Sequence, residues 1–128
     1  MSDALVISVD DVEPERWAEP VRGEMGFRTV FGDGSAETDF TAGVTELEPG
    51  GWMAGHRHEP AEIYYVVSGE GKLTIEGEEH AVSAGTAAHI PGNSEHAIRN
   101  TADAPLRFFW AFAVRSLDQI EYHFTAQE

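Results

Sequence analysis

The feature that most constrains this chain is the even spacing of its turn signals. Pro49-Gly50-Gly51, Gly69-Glu70-Gly71, Glu76-Gly77-Glu78-Glu79, Ser83-Ala84-Gly85 and Pro91-Gly92-Asn93 cut the sequence into short segments, and no long helical period lies between them. Lys72-Leu73-Thr74-Ile75-Glu76 alternates polar and apolar residues, as a half-buried strand does. Residues 26–31 and 37–47 read as strands joined by a turn at Gly32-Asp33-Gly34-Ser35. His80-Ala81-Val82, residues 86–90 and residues 96–100 supply further strands. Residues 106–114 are nearly all apolar and predict a central strand buried on both faces. Residues 5–9 predict an edge strand. Residues 10–20, punctuated by Pro14 and Pro20, predict a loop with at most a helical turn, in which Trp17 plugs the core. Tyr122-His123-Phe124 closes the chain. The fold class is all-β, a barrel or a sandwich.

Composition narrows what such a fold can do. A length of 128 residues allows one domain, residues 1–128, with one core. No run of about 18 apolar residues is present, and the acidic start lacks the basic, then apolar, order of a leader, so a cytoplasmic protein is expected. There is no cysteine, which excludes disulfides, thiolate metal sites and thiol nucleophiles. The net charge is −15, with Lys72 the only lysine. Such a surface repels nucleic acid and anionic membranes, leaving a small molecule as the expected partner. The acidity fits either a salt-rich cell or a G+C-rich genome.

Residues 50–69 carry the chemistry. His56 and His58 are one residue apart, so on an extended strand both face the same way. Pro60 cannot donate to a sheet ladder, which places a bend or bulge at Glu59-Pro60-Ala61. The chain resumes with Glu62, Tyr64 and Val66 on one face and Tyr65 on the other. Two imidazoles and a carboxylate from adjacent extended segments can bind one transition metal, and His96 offers a fourth ligand. His80 and His123 read as surface residues, and His89 stays outside the ligand set.

With these residues in view, the chain resembles the cupin superfamily, whose fold is a double-stranded β-helix barrel. Gly50, His56, His58, Glu62 and Gly69 keep the spacing of its first motif, and Gly85, Pro91, His96 and Asn100 that of its second. The second departs at Asn93, where the family usually has Gly; Asn tolerates the left-handed backbone that this turn requires. The resemblance implies that His56, His58, Glu62 and His96 hold one divalent transition metal: Fe, Mn, Ni, Co or Zn. On an octahedral ion this set leaves two neighbouring positions open for substrate, water or oxygen. It also implies a homodimer.

Four segments, PAEIYYVVSGEG, GNSEHAIRN, FFWAF and EYHF, are similar to those of small cupin lyases that cleave dimethylsulfoniopropionate. That similarity makes Tyr64 the expected base and Tyr122 a second active-site tyrosine. Tyr64 would take the proton beside a metal-bound carboxylate, and dimethyl sulfide would leave to give acrylate. The plainer reading of Tyr64 is a barrel residue with a hydrogen-bonded hydroxyl. Trp52, Trp110 and Phe108 are candidate pocket residues for a sulfonium cation, or else plain core. An Fe(II) dioxygenase or isomerase, and a non-catalytic metal or small-ligand binding protein, are the alternative readings.

Overall fold

A computed structural model describes residues 4–32 and 38–127. Among these, eleven strands form one antiparallel sheet: β1 (Glu15–Glu19), β2 (Gly23–Phe31), β3 (Thr41–Leu47), β4 (Trp52–Arg57), β5 (Glu62–Ser68), β6 (Glu70–Ile75), β7 (Glu78–Ser83), β8 (Ala87–Ile90), β9 (His96–Asn100), β10 (Leu106–Phe112) and β11 (His123–Phe124). The neighbours run β7-β6-β9-β4-β2-β3-β10-β5-β8, with β1 added to β2 and β11 to β4. The end strands β7 and β8 are joined only by the turn at Ala84-Gly85-Thr86, and Gly85 N donates to Val66 O on β5. So short a link forces the sheet to curl until its two ends lie together. The interior holds an apolar cluster that includes Leu47, Val66, Leu73, Ile98, Leu106 and Phe108.

Turn chemistry sets the register. Glu76 and Gly77 both take positive φ between β6 and β7, the two-residue geometry that matches strand twist. Asn93 adopts φ +63°, as its residue type permits, and its N–H donates to His58 O at 2.7 Å. Buried Asn100 locks a second corner. Its amide donates to Leu47 O and Ala104 O at 2.9 and 2.8 Å, and its carbonyl accepts from Ala102 N.

Three expectations change. Residues 5–8 join no ladder, and Val9–Asp11 is a 3-10 turn. The loop expected at 10–20 contains β1. Its prolines flank the strand instead of interrupting it, and as an edge strand it tolerates acids facing water. The strand at 106–114 ends at Phe112 and is not buried on both faces. Leu106, Phe108, Trp110 and Phe112 are buried, while Arg107, Phe109 and Ala111 are half-buried. The curled sheet has an inside, and that strand's outer face stays half-exposed, with Arg107 reaching Asp10 of the N-terminal segment. The turn at Asp33-Gly34-Ser35 and the start of the strand expected from Glu37 lie outside the described residues.

Gly43 on β3 makes room for the pocket wall, since a Cβ there would sit 2.6 Å from Trp110 Cζ2 and collide with Arg28 O. At Gly26 the nearest atom would be an ordinary 3.8 Å away. Gly43→Ala should therefore cost about 1–3 kcal/mol in urea unfolding, and Gly26→Ala less than about 0.5 kcal/mol.

Candidate metal centre

β4, the bend after it and β9 bring three imidazoles together inside the barrel. His56 pairs with His96 across β4 and β9, and their ring centroids are 4.1 Å apart. His58, just past the end of β4, lies 5.5 Å from His56 and 5.0 Å from His96, centroid to centroid. Glu62 opens β5 and reaches in with Oε1 3.2 Å from His58 Nε2 and 3.3 Å from His96 Nε2. All four residues are buried.

Local backbone fixes each ring. Nδ1 of His56 donates to Ala54 O at 2.7 Å, that of His58 to Pro60 O at 2.9 Å, and that of His96 to Ser94 O at 2.9 Å. A carbonyl only accepts, so each Nδ1 carries the proton, and in the neutral ring each Nε2 keeps a lone pair. Burial, then the neighbouring His96, lower the pKa of His56 to about 3, against a weaker rise from its bond to Ala54.

The three Nε2 atoms and Glu62 Oε1 are buried with no hydrogen-bond partner, because with the proton on Nδ1 an Nε2 lone pair has nothing to donate to the carboxylate. Each such orphan costs about 1–3 kcal/mol. One ring nitrogen from each histidine lies within 4.8 Å of the others, a group able to hold a metal ion. Nitrogen donors beside a carboxylate fit a divalent transition cation, which would satisfy the orphaned lone pairs.

Aromatic walls adjoin this cluster. Tyr64 faces inward on β5, opposite Trp110 and Ala88, with its ring 4.5 Å from Phe108 and 6.1 Å from His96. Tyr65 faces outward and is 48% exposed, as strand parity requires. Tyr122 comes from the segment before β11, and its ring stands 5.7 Å from His56 and 5.4 Å from His58. Burial, then the Glu62 charge, hold both phenols above their ordinary pKa, with Tyr122 adding to the shift at Tyr64. Glu62, Tyr64, Phe108, Trp110 and Tyr122 line a cavity of about 60 Å³ together with Trp17, Phe27, Thr45, Met25, Met53 and Leu117.

Trp52 does not join them. The register shifts between Met53 and His56, so Met53 and His56 both turn inward and Trp52 turns out. It lines a separate groove with Lys72, Thr74 and Arg99. Counting alternate residues along β4 misplaces it because the irregularity resets the count. Trp17 and Phe27 are pocket residues that the sequence reading missed. Alternation in Arg16-Trp17-Ala18 was the available signal, hidden between two prolines.

A family model described as a cupin domain matches residues 43–112, and the chain belongs to that family. Over 123 residues it is 39% identical to the dimethylsulfoniopropionate lyase DddW of Ruegeria pomeroyi, covering 94% of this chain and 79% of that one. Over 88 residues it is 31% identical to a 5-nitrosalicylic acid 1,2-dioxygenase of a Bradyrhizobium species, covering 69% of this chain but 42% of the dioxygenase. The polyketide cyclase RemF of Streptomyces resistomycificus superposes with a TM-score of 0.78 over 96% of this chain and 86% of its own; at 23% identity this likeness concerns the fold alone.

His56 links the centre to pH. Below its ordinary value of 6.5 the unfolded chain takes up a proton that the fold refuses until about 3. Stability present above the first value is therefore lost across that window, at up to about 1.4 kcal/mol per pH unit from this group. Urea unfolding of metal-free protein between neutral pH and the acid limb should show this slope, and His56→Gln should flatten it. Equal slopes in the two proteins would place its origin elsewhere.

Proposed function

We propose that this chain is a metal-dependent carbon–sulfur lyase that converts dimethylsulfoniopropionate to dimethyl sulfide and acrylate. One arrangement carries the reading: Tyr64 and Tyr122 line, with Glu62, a cavity that adjoins the histidine cluster. The relationship to the Ruegeria lyase supports it, since that protein is aligned over nearly all of this chain.

In this reading His56, His58, Glu62 and His96 hold one divalent ion: Fe, Mn, Ni, Co or Zn. Bound there, the ion supplies a Lewis acid that makes the carbon beside a bound carboxylate more acidic and favours anionic forms of nearby groups. Tyr64 is the base. Burial and the Glu62 charge hold its proton on in the protein alone, so base action depends on positive charge gathered at the four donors. The phenolate takes the α-proton, the C–H electron pair becomes the new C=C bond, and the C–S pair leaves with sulfur as neutral dimethyl sulfide. Tyr122, on the same cavity, is the second phenol available to hold the substrate carboxylate. Phe108 and Trp110 offer π-faces and no positive charge to the sulfonium end.

We place the protein in the cytoplasm, acting on a small molecule as a homodimer; its charge of −15 disfavours nucleic acid and membrane surfaces. Among the described residues no helix is long and apolar enough to cross a membrane. The dioxygenase relative supports a second reading, in which the same donors hold Fe(II) for oxygen chemistry without a protein base. A non-catalytic binding protein would show neither activity.

Elemental analysis should find metal strongly reduced in Ala variants of His56, His58, Glu62 and His96, and unchanged in His80→Ala, whose side chain is exposed and sits beside Glu78. Full occupancy in His96→Ala would refute the four-ligand site.

Tyr64→Phe keeps ring and packing and deletes one hydroxyl. It should hold metal normally and lose roughly 10²- to 10⁴-fold in release of dimethyl sulfide, while Tyr65→Phe stays near wild type. Release that requires oxygen, or that survives intact in Tyr64→Phe, would exclude the proposed elimination.

A further inference from the structure

The residue that most needs an explanation is Trp17. Read from sequence it is a plug; in the fold it is the pocket-lining aromatic that comes from edge strand β1, outside the main path of the barrel. Its ring meets Phe27 at 5.4 Å, Tyr122 at 6.2 Å and Phe124 at 5.7 Å between centroids, each close to edge-on. The Arg22 guanidinium lies 4.7 Å from the Trp17 ring centroid, and its Nε is 3.3 Å from Glu19 Oε1. Glu19 Oε1 also accepts the Arg22 backbone N–H at 2.6 Å. The Arg22 guanidinium thus lies over the indole ring, the three rings contact it, and the indole also walls the cavity.

Among the described residues that cavity is lined by no lysine or arginine, by one carboxylate and by six aromatic side chains. A neutral ligand gains only burial from such a wall. A methylated cation gains burial and attraction to the ring quadrupoles, with no bare N–H left in need of a partner. Phe108 and Trp110 are buried in the barrel interior and serve packing as well, whereas Trp17 is half-buried at the rim.

We infer that Trp17 is a specificity-determining residue, the wall that makes this pocket prefer a methylated onium group at the end of the substrate away from its carboxylate. The inference rests on the lyase reading for the carboxylate end, and it assigns the cationic end to a strand that lies off the barrel's main path. Trp17 also touches Tyr122, so one ring contributes both to cation preference and to the seating of the second phenol.

The test is equilibrium binding to metal-loaded protein by calorimetry, with two probes of matched shape. Dimethylsulfonioacetate carries the sulfonium and has no second carbon for elimination; 3-methylbutanoate replaces the sulfonium by CH. Wild type should bind the cation more tightly. Trp17→Leu should weaken the sulfonium probe by roughly 3- to 30-fold and the carboxylate with the uncharged CH end less than about twofold, and Trp17→Phe should keep most of the preference. Equal weakening of both probes, or no weakening of either, overturns the inference, as does a wild-type protein without preference. Trp17→Met, ringless like Leu but unbranched and better able to fill an irregular gap, carries the same expectation if Trp17→Leu does not fold. Release of dimethyl sulfide from dimethylsulfoniopropionate is measured separately. A ring-dependent preference without release overturns the lyase reading alone, and release with an unchanged preference in Trp17→Leu overturns this inference alone.

Discussion

Three short hydrogen bonds, from the Nδ1–H of His56, His58 and His96 to carbonyls two residues away, are the interaction on which the site depends. Each is local, so each ring's tautomer and tilt are fixed by its own stretch of backbone and not by a distant strand. The consequence is long-range: three Nε2 lone pairs are committed to one interior region and cannot be satisfied by their own strands. Pro60 shows how economical the device is. It breaks the ladder after β4, and its carbonyl holds the His58 ring.

Keeping those atoms buried and unpartnered runs against stability, since every orphaned lone pair gives up water without recompense. The barrel carries that cost through its apolar cluster, where Leu47, Leu106 and Phe108 are essentially fully buried. Buried Asn100, bonded at three backbone positions, is the opposite case, a polar group satisfied entirely by the fold. The contrast separates polar residues that hold the structure from polar residues that the structure holds ready for a ligand. Tyr64 and Tyr122 are a third kind, buried phenols whose ionisation is opposed by burial and then by the Glu62 charge.

Charge follows the same division. Carboxylates crowd the sequence, yet among the described residues only Glu62 brings one to the cavity beside the histidines. Elsewhere the few arginines act as ties. Arg28 donates to Val12 O and approaches Asp10, and Arg107 lies between Asp10 and Glu46, pinning the N-terminal segment against the outer surface. Arg22 plays a related part beside Trp17, where it joins β1 to an aromatic wall.

Sequence alone determined whatever depends on spacing and local backbone chemistry. Turn residues at short intervals implied an all-β fold, period-two alternation placed Glu62 and Tyr64 inside and Tyr65 outside, and Asn93 was compatible with the left-handed turn it makes. That His56 and His58 share a face was legible for the same reason; that His96 joins them was implied by the resemblance to the cupin motifs, and the pairing of β4 with β9 brings it there. Tertiary structure decided what parity and composition cannot carry across an irregularity or between distant strands. The register shift in β4 sent Trp52 outward, and pairing with β2 turned a proline-bounded acidic stretch into the strand that brings Trp17 to the pocket. Curling gave β10 one buried face where composition suggested two. Each of these outcomes follows from which strands become neighbours, a long-range choice that no short window of residues contains.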